Sequence, residues 1–214
     1  MSKTLAAAAL IAAQTFWSGA SAQQSRLVPT YRIQLDDISV ERTRSRRTDT
    51  NYAALSVQGS SEHPRTSTKR LGDVGRGTKA VNVSLSLIPV EQNGRLRISW
   101  AVINYGGAKS DEMVGVLKEA VEQQVAQASD EDWLSQLSAV LARALEEDRA
   151  SRCDGPVLAG SLEISGTDLA RQTGQGKALR VTRRQEGLEA PDRCAKKSDY
   201  SATLIIRRES ARIR

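Results

Sequence analysis

The feature that most constrains the fold is the stretch of alternating side chains in residues 79–105, centred on Asn93-Gly94. Apolar residues occupy every second position on both sides of this pair: Val81, Val83, Leu85 and Leu87 before it, and Ile98, Trp100 and Val102 after it. A period of two is that of a half-buried β-strand. Asn-Gly suits a two-residue hairpin turn, because both residues tolerate positive φ. The sequence therefore predicts a β-hairpin about this pair, with Leu87 opposite Trp100.

The same alternation predicts further strands at residues 31–40, 51–58, 157–164, 177–183 and 200–206. Within the first of them, Asp36-Asp37 separates two runs of opposite parity, which indicates a bulge or bend. Residues 59–78 are rich in Ser, Gly and charge and are predicted to form a loop. The charged tail after Arg207 is expected to fray. In the hairpin, Pro89 must lie at an edge or a bulge, because it has no N–H to donate.

Between the hairpin and the later strands the apolar period changes to that of a helix. Met113, Leu117, Val121 and Val125 follow a candidate N-cap at Ser110, and a second stripe holds Trp133, Leu137 and Leu141. The short connection predicts an αα-hairpin, or one kinked helix, packed on the sheet. A partner-binding or membrane-surface helix is the alternative, although membrane-surface helices usually carry basic polar faces and these are acidic. We predict a mainly β, α+β fold: an antiparallel β-sandwich with an inserted αα-hairpin at 110–149.

The first residues resemble a targeting segment. Lys3 precedes an apolar run at 5–13, and Ala20-Ser21-Ala22 fits the small-residue cleavage pattern. The run is too short to span a bilayer, and no later run approaches that length. The sequence thus predicts a signal peptide at 1–22 and a periplasmic or secreted chain at 23–214 that forms a single domain and does not span the membrane. An uncleaved signal anchor is the alternative.

The chain has two cysteines, Cys153 and Cys194. In an oxidising compartment they are expected to pair with each other. Such a bridge closes a loop of about 41 residues, which the chain-entropy model values at about 4 kcal/mol. A redox-active or metal-binding pair is the alternative, but the cysteines are far apart and His63 is the one histidine.

Charge is unevenly distributed along the chain. Residues 109–150 have a net charge of −6, whereas residues 23–214 as a whole have +5, so the remainder of that chain carries +11. The sequence therefore predicts an acidic helical element on a basic body. A basic body attracts nucleic acid, lipopolysaccharide or acidic glycans, and an envelope protein is a further candidate partner. Nucleic acid is not expected as a partner, because the chain is predicted to be exported.

The densest run of positive charge holds Arg42, Arg44, Arg46 and Arg47. The simpler interpretation is a solvated loop or the exposed face of a strand, because no aromatic residue is interleaved to stack on a base or sugar. The alternative is an anion-binding patch formed by these four arginines.

The sequence holds no recognisable catalytic, metal or cofactor motif. His63 lies in a polar turn-like stretch, no Gly-x-Ser-x-Gly elbow exists, and the glycines at 72–77 match no phosphate loop. Aspartates fall in or near predicted loops without calcium-loop spacing: Asp36, Asp37, Asp49, Asp73, Asp154 and Asp168. We therefore assign no cofactor, metal or catalytic residue.

The function favoured by the sequence is non-enzymatic binding by an exported, envelope-associated protein. One alternative is an envelope-assembly protein that joins partners by an edge strand or by its helical hairpin. The other is a small hydrolase that uses carboxylates such as Asp73 or Glu163.

Overall fold

The computed structural model describes residues 27–60, 63–107, 110–127, 132–146, 153–188, 194 and 197–213. The predicted signal peptide, residues 1–22, lies outside the described residues. The strands are β1 Leu27–Arg42, β2 Asp49–Gln58, β3 Arg65–Val74, β4 Gly77–Pro89, β5 Arg95–Asn104, β6 Gly155–Ser165, β7 Ala178–Glu186 and β8 Asp199–Ile213. The helices are α1 Ser110–Gln127, α2 Trp133–Glu146 and α3 Gly166–Gln172, and a 3₁₀ turn follows at Gly174–Gly176. No helix in these ranges has the length and apolar character needed to cross a membrane.

The strands form two four-stranded antiparallel sheets. The first sheet has the order β4-β1-β8-β7 and the second has the order β3-β2-β5-β6. Side chains from both inner faces meet in one buried cluster, in which Leu35 and Leu204 come from the first sheet and Leu55 and Trp100 from the second. The predicted antiparallel β-sandwich is therefore confirmed.

The two longer helices pack on the second sheet, between β5 and β6 in the chain. Met113, Leu117 and Val121 of α1 and Trp133 and Leu137 of α2 are buried in a second cluster with outward-facing residues of β2, β5 and β6. Both apolar stripes thus face the sheet and each other, which is what the 3.6-residue period indicates. The helical insertion is confirmed.

The predicted hairpin about Asn93-Gly94 is wrong. β4 pairs with β1, where Leu85 lies opposite Ile33, and β5 pairs with β2, where Trp100 lies opposite Leu55. Except for Leu87, which is 40% exposed, the alternating residues of β4 and β5 do share one core, but they enter it from different sheets instead of lying side by side in one sheet. A period of two specifies which face of a strand is buried; it does not specify which strand lies next to it.

Two other boundaries differ from the prediction. Residues 65–74, predicted as loop, form β3, an edge strand that buries only Leu71 and Val74 and so lacks strong apolar alternation. The last strand continues to Ile213 instead of fraying after Arg207, because it stays paired with β1 as far as Leu27. The bulge predicted at Asp36-Asp37 is confirmed by a register shift in both ladders of β1.

The predicted disulfide is confirmed. Cys153 and Cys194 are bonded with a Cα–Cα distance of 5.5 Å. The bridge ties the residue just before β6 to the connection between β7 and β8. We refer to this side of the sandwich, where the β1–β2 and β7–β8 connections lie, as the disulfide end.

Candidate anion-binding site

The connection between β1 and β2, residues 43–48, is wrapped around the carboxylate of Asp49. This residue is fully buried. One carboxylate oxygen accepts the backbone N–H of Ser45 at 2.7 Å. The other accepts the backbone N–H of Arg44 at 2.7 Å and the hydroxyl of Tyr200 at 2.7 Å. Three donors on one carboxylate hold the start of the loop in a single shape, because each would lose its partner if the loop moved.

Tyr200 links this loop to the core. Its side chain is fully buried, and its hydroxyl also accepts the side-chain amide of Asn51 at 3.2 Å. Burial raises the pKa of the Tyr200 hydroxyl, and the negative charge of Asp49 raises it further. The hydroxyl therefore remains protonated and keeps donating to the carboxylate over the whole physiological pH range.

Arg44 points inward from the same loop. The residue is 7% exposed, and its guanidinium donates to the carbonyl oxygens of Cys153 at 3.0 Å and Leu188 at 3.3 Å. Burial lowers the pKa of Arg44, and the carboxylates of Asp49 and Asp154 oppose that shift. One of the four predicted anion-binding arginines is thus a buried structural group that joins the loop to both sides of the disulfide.

Cys153 is also held by a hydrogen bond from the end of β5. The side-chain amide of Asn104 donates to the carbonyl oxygen of Cys153 at 2.9 Å and to the hydroxyl of Ser45 at 3.2 Å. The carboxylate of Asp154 accepts the backbone N–H of Gly106 at 3.0 Å. The β1–β2 loop, the end of β5 and the start of β6 are therefore joined in one partly buried polar network.

Arg46 and Arg47 are exposed at the tip of this braced loop. The turn between β3 and β4 lies beside Thr48 of the same loop, because a Cβ placed on Gly75 would be 3.9 Å from Cγ2 of Thr48. Arg76 is exposed on that neighbouring turn. We call Arg46, Arg47 and Arg76 the arginine rim. Sequence reasoning missed Arg76, although its position between Gly75 and Gly77 marked it as a turn residue.

Arg42, the last residue of β1, already lies close to two carboxylates. Its guanidinium is 3.7 Å from Glu186 and 3.9 Å from Asp199. Asp199 also accepts two hydrogen bonds from Arg184, at 3.0 and 2.7 Å. These bonds lower the pKa of the Asp199 carboxyl. Of the predicted patch, Arg46 and Arg47 face solvent, Arg42 adjoins carboxylates and Arg44 is buried; anion binding by the segment stays a prediction.

The other candidates from the sequence are dispersed. Asp73 accepts the hydroxyl of Thr50 at 2.7 Å. Asp168 lies in the first turn of α3, where it accepts the hydroxyl of the N-cap residue Ser165 at 2.7 Å. His63 is exposed. Within the part of the chain that the structure describes, no three His, Cys, Asp or Glu side chains converge as a metal site would require.

The two carboxylates named for a hydrolase do not share a cleft. Asp73 lies opposite Thr50 at the disulfide end of the second sheet, whereas Glu163 lies opposite Arg97 near its other end. Hydrogen bonding to Arg97 lowers the pKa of Glu163, which therefore stays ionised and is not suited to act as a general acid.

An open groove of about 1020 Å³ occupies the end of the sandwich away from the disulfide. It lies between the start of β1, the β4–β5 connection and α3. Its described lining includes a single carboxylate, Glu91, so it does not offer the pair of acids that such a hydrolase would need.

Comparisons with known proteins show no family. No family model matches the sequence, and no curated protein matches it significantly. A solved structure described as "CC2D1B coordinates ESRCT-III activity during the mitotic reformation of the nuclear envelope" is similar to this chain with a TM-score of 0.34 and 7% sequence identity. The similarity covers 84% of this chain and 54% of that one, so this chain spans about half the length of its neighbour. A TM-score this low says nothing about function.

Proposed function

We propose that this protein is an exported, non-enzymatic binding module of the cell envelope, which holds acidic polysaccharide on the arginine rim. The observation that carries the proposal is the exposure of Arg46, Arg47 and Arg76 on two adjacent loops, the first of which is held in place by Asp49. Guanidinium groups bind carboxylates and sulfates through paired N–H donors.

The buried network beneath the rim supports binding in a further way. A loop that is already ordered loses little conformational entropy when it binds, so more of the contact energy appears as affinity. Asp49, Tyr200 and Arg44 supply that order without using any rim arginine.

Location outside the cytoplasm is supported by two features. The disulfide between Cys153 and Cys194 is of a kind that persists in oxidising compartments. The pattern of residues 1–22 is typical of a cleaved signal peptide.

The test is retention on immobilised heparin, used as a representative acidic polysaccharide, with elution by a sodium chloride gradient. The wild-type protein is expected to elute above the physiological ionic strength of about 0.15 M. The variant Arg46→Gln/Arg47→Gln/Arg76→Gln is expected to elute well below it, because the proposed site then carries no rim charge.

A matched variant controls for total charge. Arg143→Gln/Lys177→Gln/Arg207→Gln removes the same number of exposed positive charges from α2, from the residue before β7 and from β8. It is expected to elute close to the wild type. Equal losses in the two triple variants would mean diffuse attraction to a basic protein, and weak retention of the wild type would end the proposal altogether.

A further inference from the structure

β7 is an edge strand with an unusually regular backbone. All nine of its residues, from Ala178 to Glu186, pair with β8 without a register shift. Among the described residues, β8 pairs with one edge of β7 and no strand pairs with the other. Such an edge presents a row of N–H and C=O groups on which another extended chain can pair.

The free edge of β4 is obstructed by comparison. The guanidinium of Arg65 donates to the carbonyl oxygen of Ser86 at 2.8 Å, and the amine of Lys69 donates to that of Val81 at 2.7 Å. Leu87 has a positive φ of 58°, which breaks the regular extended backbone. Side chains of β3 therefore already occupy acceptors that an added strand would need.

The remaining two edges are also interrupted. On β6, the backbone N–H of Ala159 donates to the side chain of Gln185 of β7 at 2.7 Å, so the edges of β6 and β7 adjoin at that point. On β3, Gly72 has a positive φ of 71° beside a register shift. Of the four edges in the described sandwich, that of β7 offers the longest unbroken run of backbone groups, from Ala178 to Arg184, before the contact of Gln185 with β6.

The charge of β7 limits what can pair with it. Arg180, Arg183 and Arg184 are all exposed. If a second copy paired antiparallel about Thr182, Arg180 would lie opposite Arg184, and like charges placed opposite each other in a sheet repel. Arg180 and Arg184 contact Asp36 and Asp199, while Arg183 makes no ion pair within the described ranges. In this register the edge disfavours its own copy, and its exposed arginines favour carboxylates.

We propose that β7 is a docking edge for an extended acidic segment of a partner protein. The segment adds to the first sheet as a fifth strand, so its backbone pairs with β7 and its carboxylates lie beside the arginines. This site differs from the arginine rim in position and in ligand, because it binds an extended polypeptide backbone and does not rely on charge alone. It does not depend on the proposed polysaccharide binding.

The probe is a fluorescein-labelled peptide of four Glu-Val repeats, titrated against the full protein and followed by fluorescence anisotropy. Saturable binding is expected, with slower hydrogen–deuterium exchange in residues 178–186. A Glu-Pro peptide of equal charge controls for electrostatics, because proline has no N–H to donate. It is expected to bind at least tenfold more weakly. Equal binding of both peptides, or protection confined to other segments, would refute strand addition.

Two proline variants locate the contact on the protein. Neighbouring residues of an edge strand direct their N–H groups alternately to the sheet and to solvent. Val181→Pro and Thr182→Pro therefore differ: one removes a ladder bond to β8 and lowers the Tm, and the other leaves the Tm near that of the wild type. The variant with the unchanged Tm is expected to lose peptide affinity at least tenfold; unchanged affinity would overturn the proposal.

A third variant and the rim variant complete the test. Arg183→Gln keeps the backbone intact and is expected to weaken the Glu-Val peptide several-fold. Arg46→Gln/Arg47→Gln/Arg76→Gln is expected to leave peptide binding unchanged. If it abolishes binding instead, the peptide occupies the arginine rim and β7 is not a docking edge. If heparin binding fails while β7 becomes protected by the peptide, only the polysaccharide proposal is lost.

Discussion

Replacing Asp49 by Asn tests whether the buried carboxylate organises the disulfide end. The substitution keeps the size of the side chain and removes its charge. Asp49 now accepts from Arg44, Ser45 and Tyr200 with two oxygens. Asn has one oxygen and one NH₂ group, so at least one of the three donors faces another donor in either orientation of the amide.

The magnitude follows from those contacts. One buried donor without an acceptor costs about 1–3 kcal/mol, and each bond that loses its charged acceptor weakens by about 1 kcal/mol. Buried Arg44 also loses a neutralising carboxylate. We expect Asp49→Asn to lower the free energy of unfolding by about 3–5 kcal/mol, which is within the range for breaking a buried ion pair. For a chain of this size, that lowers the Tm by about 10 °C.

The assay is urea unfolding followed by tryptophan fluorescence, since Trp100 and Trp133 are 0% and 5% exposed. The matched control is Asp73→Asn, an exposed aspartate at the same end with a hydrogen bond from Thr50. Its effect is expected to stay within about 0.5 kcal/mol. A loss below about 1 kcal/mol for Asp49→Asn, or equal losses for the two variants, would refute the role given to the carboxylate.

Three further predictions concern stability. Gly160→Ala puts a Cβ 2.4 Å from the indole of Trp100 and is expected to cost about 1–3 kcal/mol in urea unfolding; a neutral result would mean that the core adapts. Cys153→Ala/Cys194→Ala opens a loop of about 41 residues and is expected to cost up to about 4 kcal/mol; an unchanged Tm would contradict this. The folded-state pKa of Asp199 is lowered, so its stabilisation is present above the ordinary carboxyl range near pH 4 and is lost as pH falls through the lowered pKa. Asp199→Asn should thus flatten the acid limb of a Tm–pH curve, and an unchanged limb would count against it.

The glycine prediction has its own control. Gly115 lies on the exposed side of α1, where an added Cβ meets nothing within 4 Å. Gly115→Ala is therefore expected to stabilise the protein by up to about 1 kcal/mol, because alanine favours the helix. If Gly160→Ala lowers the free energy of unfolding and Gly115→Ala raises it, the loss at Gly160 is steric and is not a general effect of replacing glycine by alanine.

The sequence predicted a structural feature correctly where the residues that determine the feature could be identified directly in the sequence. The stripes of Met113, Leu117 and Val121 indicated α1 because helix periodicity is visible within a few turns. The bulge at Asp36-Asp37 was visible as a change of parity. The disulfide followed because the chain has two cysteines.

The candidate site was only partly visible. The four arginines at 42–47 were identified as a cluster, but their spacing could not show that Arg44 turns inward toward Cys153. Nor could it show that Arg76, far along the chain, lies on the adjacent turn. β3 was missed because an edge strand that buries little apolar surface resembles a polar loop in sequence.

The sequence by itself determined which face of α1, α2 and most strands is buried, since that property depends on the period of the apolar side chains. The exceptions are Leu87, which is 40% exposed, and β3, which was not predicted as a strand. Only the tertiary structure decided which strands are neighbours: β4 joined β1, and β5 joined β2 and β6. The apolar faces of two strands are buried equally well side by side in one sheet or face to face across a core. The choice between these arrangements therefore depends on contacts between distant segments, which no local pattern records.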